Sequence, residues 1–132
     1  MSDVETAVRN FFQRVWNEGE VEAAGDFLAA EFISHNPFDV TLRGPTEYGQ
    51  GVLQYRQAFP DLVTTLEDII AVEDRVAVRG IDRATHSGEF MGHPASGRRV
   101  TTTWIEIFHV RDGKAVEGWL EGNVQHLVDQ LS

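Results

Sequence analysis

The order of periodicities along the chain predicts an α+β fold, helices first and a curved sheet after. Three observations carry that prediction. As far as Phe59, apolar residues recur at the three-and-four spacing of amphipathic helices. From Leu62 onward the pattern changes to runs of strand-forming residues. Those runs are joined by connections short enough for an antiparallel meander. A chain of 132 residues, 42% hydrophobic and 24% charged, fits one soluble globular domain spanning residues 1–132.

Val4, Ala7, Val8, Phe11, Phe12, Val15 and Trp16 trace the first helical face, with Asp3 as N-cap and Gly19 suited to end the helix. A second, shorter helix is expected over residues 20–30, burying Val21, Ala24, Phe27 and Leu28. Phe32 and Ile33 then suit a short strand, and Pro37 biases Asn36 towards an extended backbone, leaving His35 at a strand end. Pro45 opens a third helix at its first position, with Glu47 in the first turn. Tyr48, Val52, Tyr55 and Phe59 lie along one face of it. Gly49 and Gly51 each cost this helix about 1 kcal/mol relative to alanine, so tertiary packing must hold it. Pro60 and Asp61 stop it.

Strands are expected over residues 62–72, 75–88, 99–111 and 114–123, and a last helical turn over residues 124–131. Asp112-Gly113 suits the tight turn of the final hairpin. If Arg111 and Lys114 close that turn, Trp104 faces Glu121, Glu106 faces Trp119, Phe108 faces Glu117 and Thr102 faces Asn123, all on one side of the sheet. Ile105, Ile107, Val116 and Leu120 then share the opposite side. Tryptophans beside glutamates match neither a plain core nor a plain solvated face, and this side reads as a pocket wall.

The formal charge of −10 argues against nucleic acid or an anionic membrane as partner. The absence of cysteine removes disulfides and thiolate chemistry. No apolar run approaches a membrane span, and the first residues lack the pattern of a signal peptide, so a cytoplasmic location is the default expectation. No phosphate-binding glycine loop is found. His86, Glu89 and His93 follow neither helical nor known metalloenzyme spacing, so no metal site is expected.

A carboxyl packed against indole in an apolar cavity loses hydration, which raises its pKa into the range useful for acid–base work. Glu106 and Glu121 therefore stand out as acid–base groups, with Glu117 nearer the turn and Trp104 and Trp119 placed to hold a flat conjugated ligand.

The stretches FFQRVWNEGEVEAAGDFLAAEFISHNP, RGPTEYGQGVLQYRQAFPDL, VEDRVAVRGIDRATHSGEFMG and DGKAVEGWLEGNVQHLVDQLS resemble, in order, the blocks of NTF2-like proteins, and more narrowly of SnoaL-like polyketide cyclases. The resemblance implies a cone-shaped α+β barrel, with a strongly bent antiparallel or mixed sheet wrapped around about three N-terminal helices and an internal apolar cavity. It implies homodimers or homotetramers built through the outer sheet face, which would cover an apolar strip there. It also implies ring closure by intramolecular aldol condensation without metal or organic cofactor, an aspartate on the last strand acting as acid/base. Asn123 occupies the matching position, and an amide cannot carry a proton at working pH.

The expected function is thus cofactor-independent acid–base chemistry, a cyclisation or isomerisation, on a hydrophobic carbonyl or polyketide-like molecule. Glu121 is read as the base, Glu106 or His86 as its proton partner, and Asn123 as hydrogen-bond donor to an enolate oxygen. Trp104, Trp119, His35, Tyr48, Tyr55, Phe59, Phe90 and Thr102 are the expected substrate contacts. The alternatives are a non-catalytic binding protein for a hydrophobic metabolite, or a hydrolase or hydroxylase on the same fold.

Overall fold

A computed structural model describes residues 3–132 of the chain. Helix α1, Asp3–Phe11, continues as a π-helical segment, Phe12–Asn17. Asp3 already lies within the helix, so the cap assigned to it falls outside the described residues. A 3₁₀ segment, Val21–Asp26, follows, and then strands β1, Leu28–His35, and β2, Leu42–Arg43. Helix α2 is Gly44–Ala58. The remaining strands are β3, Val63–Val72, β4, Arg75–Thr85, β5, Arg99–Arg111, and β6, Lys114–Gly122, and the short helix α3, Val124–Asp129, comes last.

The six strands form one curved sheet in the order β2-β1-β6-β5-β4-β3. Every pairing is antiparallel except β1 with β6, which is parallel. Helices α1 and α2 and the π-helical segment fill the concave side, where Phe11, Phe12, Phe27, Phe32 and Phe108 pack as one core. The α+β architecture is as expected from the sequence.

The second helix departs from expectation. Only Val21–Asp26 is helical, and as a 3₁₀ segment; Leu28 onward is strand. Leu28 and Phe32 fit either period, and the parallel partnership with β6 decides for the strand. The glycines of α2 meet close neighbours: a Cβ on Gly49 would stand 3.1 Å from Val21 Cβ, and one on Gly51 3.1 Å from Leu42 Cδ1.

The larger correction concerns the last hairpin. Arg111 pairs with Lys114 and Val110 with Ala115, as the turn demands, and Asp112 and Gly113 take the positive φ values of 52° and 79° that suit a tight hairpin. His109, however, pairs with Glu117, so Val116 is an extra residue in β6. Beyond this bulge the register slips by one: Trp104 pairs with Gly122, Glu106 with Leu120 and Ile107 with Trp119. A one-residue slip transfers every side chain of that strand to the other face. Trp119 and Glu121 therefore lie on the outer, convex face beside Ile105 and Ile107, while Leu120 points inward.

On the inner face, Val76, Val78, Gly80, Asp82 and Ala84 of β4 pair with Phe108, Glu106, Trp104, Thr102 and Val100 of β5. Gly80 is the tight point, because a Cβ there would stand 2.2 Å from Cζ2 of Trp104. The indole has no room to yield, since Phe12 stacks on it at 5.1 Å and Asp82 holds its N–H at 2.9 Å. Gly80→Ala is expected to destabilise the protein by about 1–3 kcal/mol through overpacking, read as a lower urea midpoint at unchanged slope.

Candidate active site

The pocket opens between the concave face of the sheet and the helices, with about 650 Å³ of empty space including its mouth. Phe12 and Trp16 enter from the π-helical segment, Tyr48 and Tyr55 from α2, Asp82 from β4, and Thr102, Trp104 and Glu106 from β5. Leu120, Asn123, Val124 and Leu127 close the side nearest the C-terminus, and Pro37 and Phe38 stand on the loop between β1 and β2. The π-helical segment thus delivers two aromatic walls from one turn; such segments are frequent at functional sites.

Glu106 is the chemical centre of the inner half. It is 2% exposed, and its carboxyl lies over Gly118, where a Cβ would come within 3.0 Å of Oε2. No hydrogen bond or cation holds it among the described residues, and loss of hydration alone pushes its pKa up to about 8. At neutral pH this carboxyl carries its proton. Tyr48 is buried nearby; its hydroxyl accepts a 2.9 Å bond from Trp16 Nε1, and burial and the Glu106 charge push its own ionisation well up.

Asp82 marks the other half. Its Oδ1 accepts from Thr64 Oγ1 and, at 2.9 Å, from Trp104 Nε1. Burial raises its pKa from the ordinary carboxylate value, outweighing those two bonds, which lower it. Thr64 is itself fixed by Asn17, whose Oδ1 accepts from the Thr64 N–H at 2.7 Å and whose Nδ2 donates to the Thr64 carbonyl at 3.1 Å. The π-helical segment is thereby tied to edge strand β3 and, through Thr64, to the pocket carboxylate.

Of the residues singled out in the sequence, Glu106, Trp104, Thr102, Tyr48, Tyr55 and Asn123 line the pocket. Asn123 also caps α3: its Oδ1 accepts from the His126 N–H at 2.9 Å, which leaves Nδ2 as the group free to donate.

The others lie elsewhere. Glu121 and Trp119 were carried to the outer face by the bulge, and His35 is there too, stacked on Trp119 at 5.7 Å and bonded to Glu117 at 2.6 Å. Phe59 is fully buried in a second cluster with Ala58, Leu62 and Val100, and Phe90 packs on it at 5.2 Å. His86 is fully buried behind Phe59. Its Nδ1 accepts from the Ser96 N–H at 3.2 Å, so Nε2 carries the proton, and Nε2 finds no partner among the described residues. His86 does not line the pocket, because the β4–β5 loop folds back over it.

Asp82 and Thr64 were missed. The signal for Asp82 was present: it is the one charged residue in the alternating series Val76, Val78, Gly80, Asp82, Ala84. Among the described residues no three His, Asp or Glu side chains gather as a metal would need.

The profile of the SnoaL-like polyketide cyclases matches residues 6–131. The chain belongs to this family. Among curated relatives, the aklanonic acid methyl ester cyclase DnrD of Streptomyces peucetius is 30% identical over 106 residues, covering 75% of this chain and 70% of that protein. Its counterpart DauD from Streptomyces sp. strain C5 matches equally, over 63% of its length. Among solved structures, AclR of Streptomyces galilaeus, provisionally assigned as a hydroxylase, is 29% identical with a TM-score of 0.86, covering 99% of this chain and 96% of that one. A SnoaL-like protein from Jannaschia sp. CCS1, 20% identical over 98% of this chain and 92% of that one, shares the fold with a TM-score of 0.90. No helix among the described residues is long and apolar enough to cross a membrane.

The raised Glu106 pKa has a consequence for stability. The folded protein keeps this proton up to about pH 8, whereas an unfolded chain releases it near 4.5. Stability contributed by the protonated group is therefore full below pH 4.5 and is lost as pH rises to about 8, by on the order of 5 kcal/mol at 1.36 kcal/mol per unit. Glu106→Gln is expected to flatten this dependence, so that its advantage over the native protein in urea denaturation grows from pH 5.5 to pH 8.

Proposed function

We propose that this SnoaL-like protein is an enzyme that moves protons on a hydrophobic carbonyl compound of the polyketide kind, closing a ring by intramolecular aldol addition or shifting a double bond. The observation that carries the reading is Glu106: a buried carboxyl, unpaired among the described residues, with its pKa raised to about 8, in a pocket walled by indole and phenol rings. Such a group delivers a proton to a developing alkoxide or enolate oxygen at neutral pH and recovers it afterwards. Asn123 Nδ2 is the proposed hydrogen-bond donor at the C-terminal side of the pocket. Proton transfer next to a carbonyl requires neither metal nor organic cofactor, and the proposal invokes none.

The cyclase relatives suggest aklanonic acid methyl ester as the first probe. Glu106→Gln is expected to lower kcat by roughly 10²–10⁴ on any β-keto ester that the native protein converts. An unchanged kcat removes Glu106 from the chemistry. A second reading, a protein that binds such a compound without converting it, is favoured by Asn123, an amide at the family's acid/base position that already caps α3. Tight binding of the probe by the native protein, with no product by mass spectrometry, decides for it.

We further propose that the protein assembles as a homodimer or homotetramer through the convex face. Ile70, Val72, Ile105, Ile107 and Trp119 stand exposed there, and Arg75 lies 5.7 Å over the Trp119 ring. An apolar strip of this extent on a sheet face is characteristic of an interface. Ile107→Lys is expected to reduce the particle mass in light scattering; a mass unchanged from the native protein overturns the proposal.

A further inference from the structure

We infer that Asp82 is the base of this site, its Oδ2 taking the proton from a substrate carbon next to a carbonyl and standing in from β4 for the carboxylate that Asn123 does not provide. The inference rests on the acid–base reading above and names the group that reading lacks.

Asp82 lines the pocket from the inner face of β4, paired with Thr102. Both of its hydrogen bonds, from Thr64 and Trp104, end on Oδ1, which leaves Oδ2 without a donor among the described residues. None of the ion pairs of the described residues includes it. Asp82 is half-buried, where a carboxylate without a cation is still costly, and an amide oxygen would receive the same two donors. A purely structural role therefore asks for asparagine, whereas a base asks for the second carboxylate oxygen. The titratable side chains that bear on Asp82 are Tyr48 and Tyr55 of α2, both held neutral by burial, with Glu106 farther along β5.

Placement also favours the role. Asp82 pairs with Thr102 and Glu106 with Val78, so the two residues' backbone positions stand four residues apart along the sheet, about 13 Å of strand rise. Trp104 and Gly80 form the floor between them. No hydrogen bond joins the two carboxyls among the described residues, and a backbone spacing of that order suits a ring lying between them. The substrate class this fits is a flat, ring-containing ketone or β-keto ester with its second carbonyl towards Glu106.

The step balances within one molecule. Oδ2 takes the proton, the C–H electron pair becomes the enolate double bond, and the enolate carbon forms a C–C bond to the second carbonyl. That carbonyl's oxygen takes the proton of Glu106. Solvent then removes the proton from Asp82 and returns one to Glu106, and product and substrate share one formula.

The test uses methyl 1-tetralone-2-carboxylate in D₂O, with deuterium uptake at the carbon between its carbonyls followed by mass spectrometry. Binding of 2-naphtholate, an enolate mimic, is measured alongside. Asp82→Asn preserves the acceptor for Thr64 and Trp104, so the fold is expected to persist, as checked by near-UV circular dichroism. It is expected to slow exchange by 10²-fold or more while binding 2-naphtholate at least tenfold more tightly, because a negative charge has left the site. Asp82→Glu is expected to recover part of the rate. Exchange by Asp82→Asn within threefold of the native rate, or unimproved naphtholate binding, overturns the role of Asp82 and leaves the acid–base reading standing. Absence of exchange in the native protein overturns both.

Discussion

Val116, the extra residue of β6, sets which side chains this protein offers to its pocket. Without it the turn at Asp112-Gly113 would place Trp119 and Glu121 beside Trp104 and Glu106, crowding the concave face with two indoles and further carboxyls. With it, β6 lays Gly118, Leu120 and Gly122 against β5. The glycines leave room: a Cβ on Gly118 would press on Glu106, Phe32 and Phe108, and one on Gly122 would stand 3.2 Å from the Thr103 carbonyl. The same slip places Trp119 among Ile105, Ile107 and His35 on the convex face. One inserted residue thus builds both surfaces of the sheet.

The space kept open is held by interlocking contacts. Trp104 lies over Gly80, stacks on Phe12 and donates to Asp82. Thr64 donates to the same oxygen and is clamped by Asn17 at the end of the π-helical segment. Helix, edge strand and carboxylate are coupled through a two-way Asn17–Thr64 clamp and the donors that end on Asp82. Glu106 contrasts with this arrangement. It has no hydrogen-bond partner among the described residues, and its proton answers to the low polarity around it. Burial raises both carboxyls of the pocket, but two donors offset it at Asp82 and none at Glu106, and that difference is the condition for dividing acid and base roles between them.

Much of this was legible in the residues. The helical face from Val4 to Trp16, the proline-led start of α2, the four long strands and the positive-φ turn all follow from local pattern and turn chemistry. Glu106, Trp104 and Thr102 were found because β5 contains no irregularity between its turn and the pocket. Glu121 and Trp119 were misplaced because a bulge leaves no mark in alternation: Val116 suits a strand whether or not it has a partner. Asp82 was overlooked for a different reason. It interrupts an apolar series in plain view, but a lone strand carboxylate shows no chemistry until the sheet brings Thr64 and Trp104 to it.

By itself the sequence determined the α+β class, the run of helices before the long strands and the residue types available for chemistry, since these depend on short-range periodicity and composition. Tertiary structure decided the parallel union of β1 with β6, the 3₁₀ and strand conformations of the segment read as a second helix, and the side of the sheet each β6 residue occupies. Those outcomes depend on hydrogen bonds between segments far apart in the chain, and a period of two residues is indifferent to a shift of one until a partner strand fixes it.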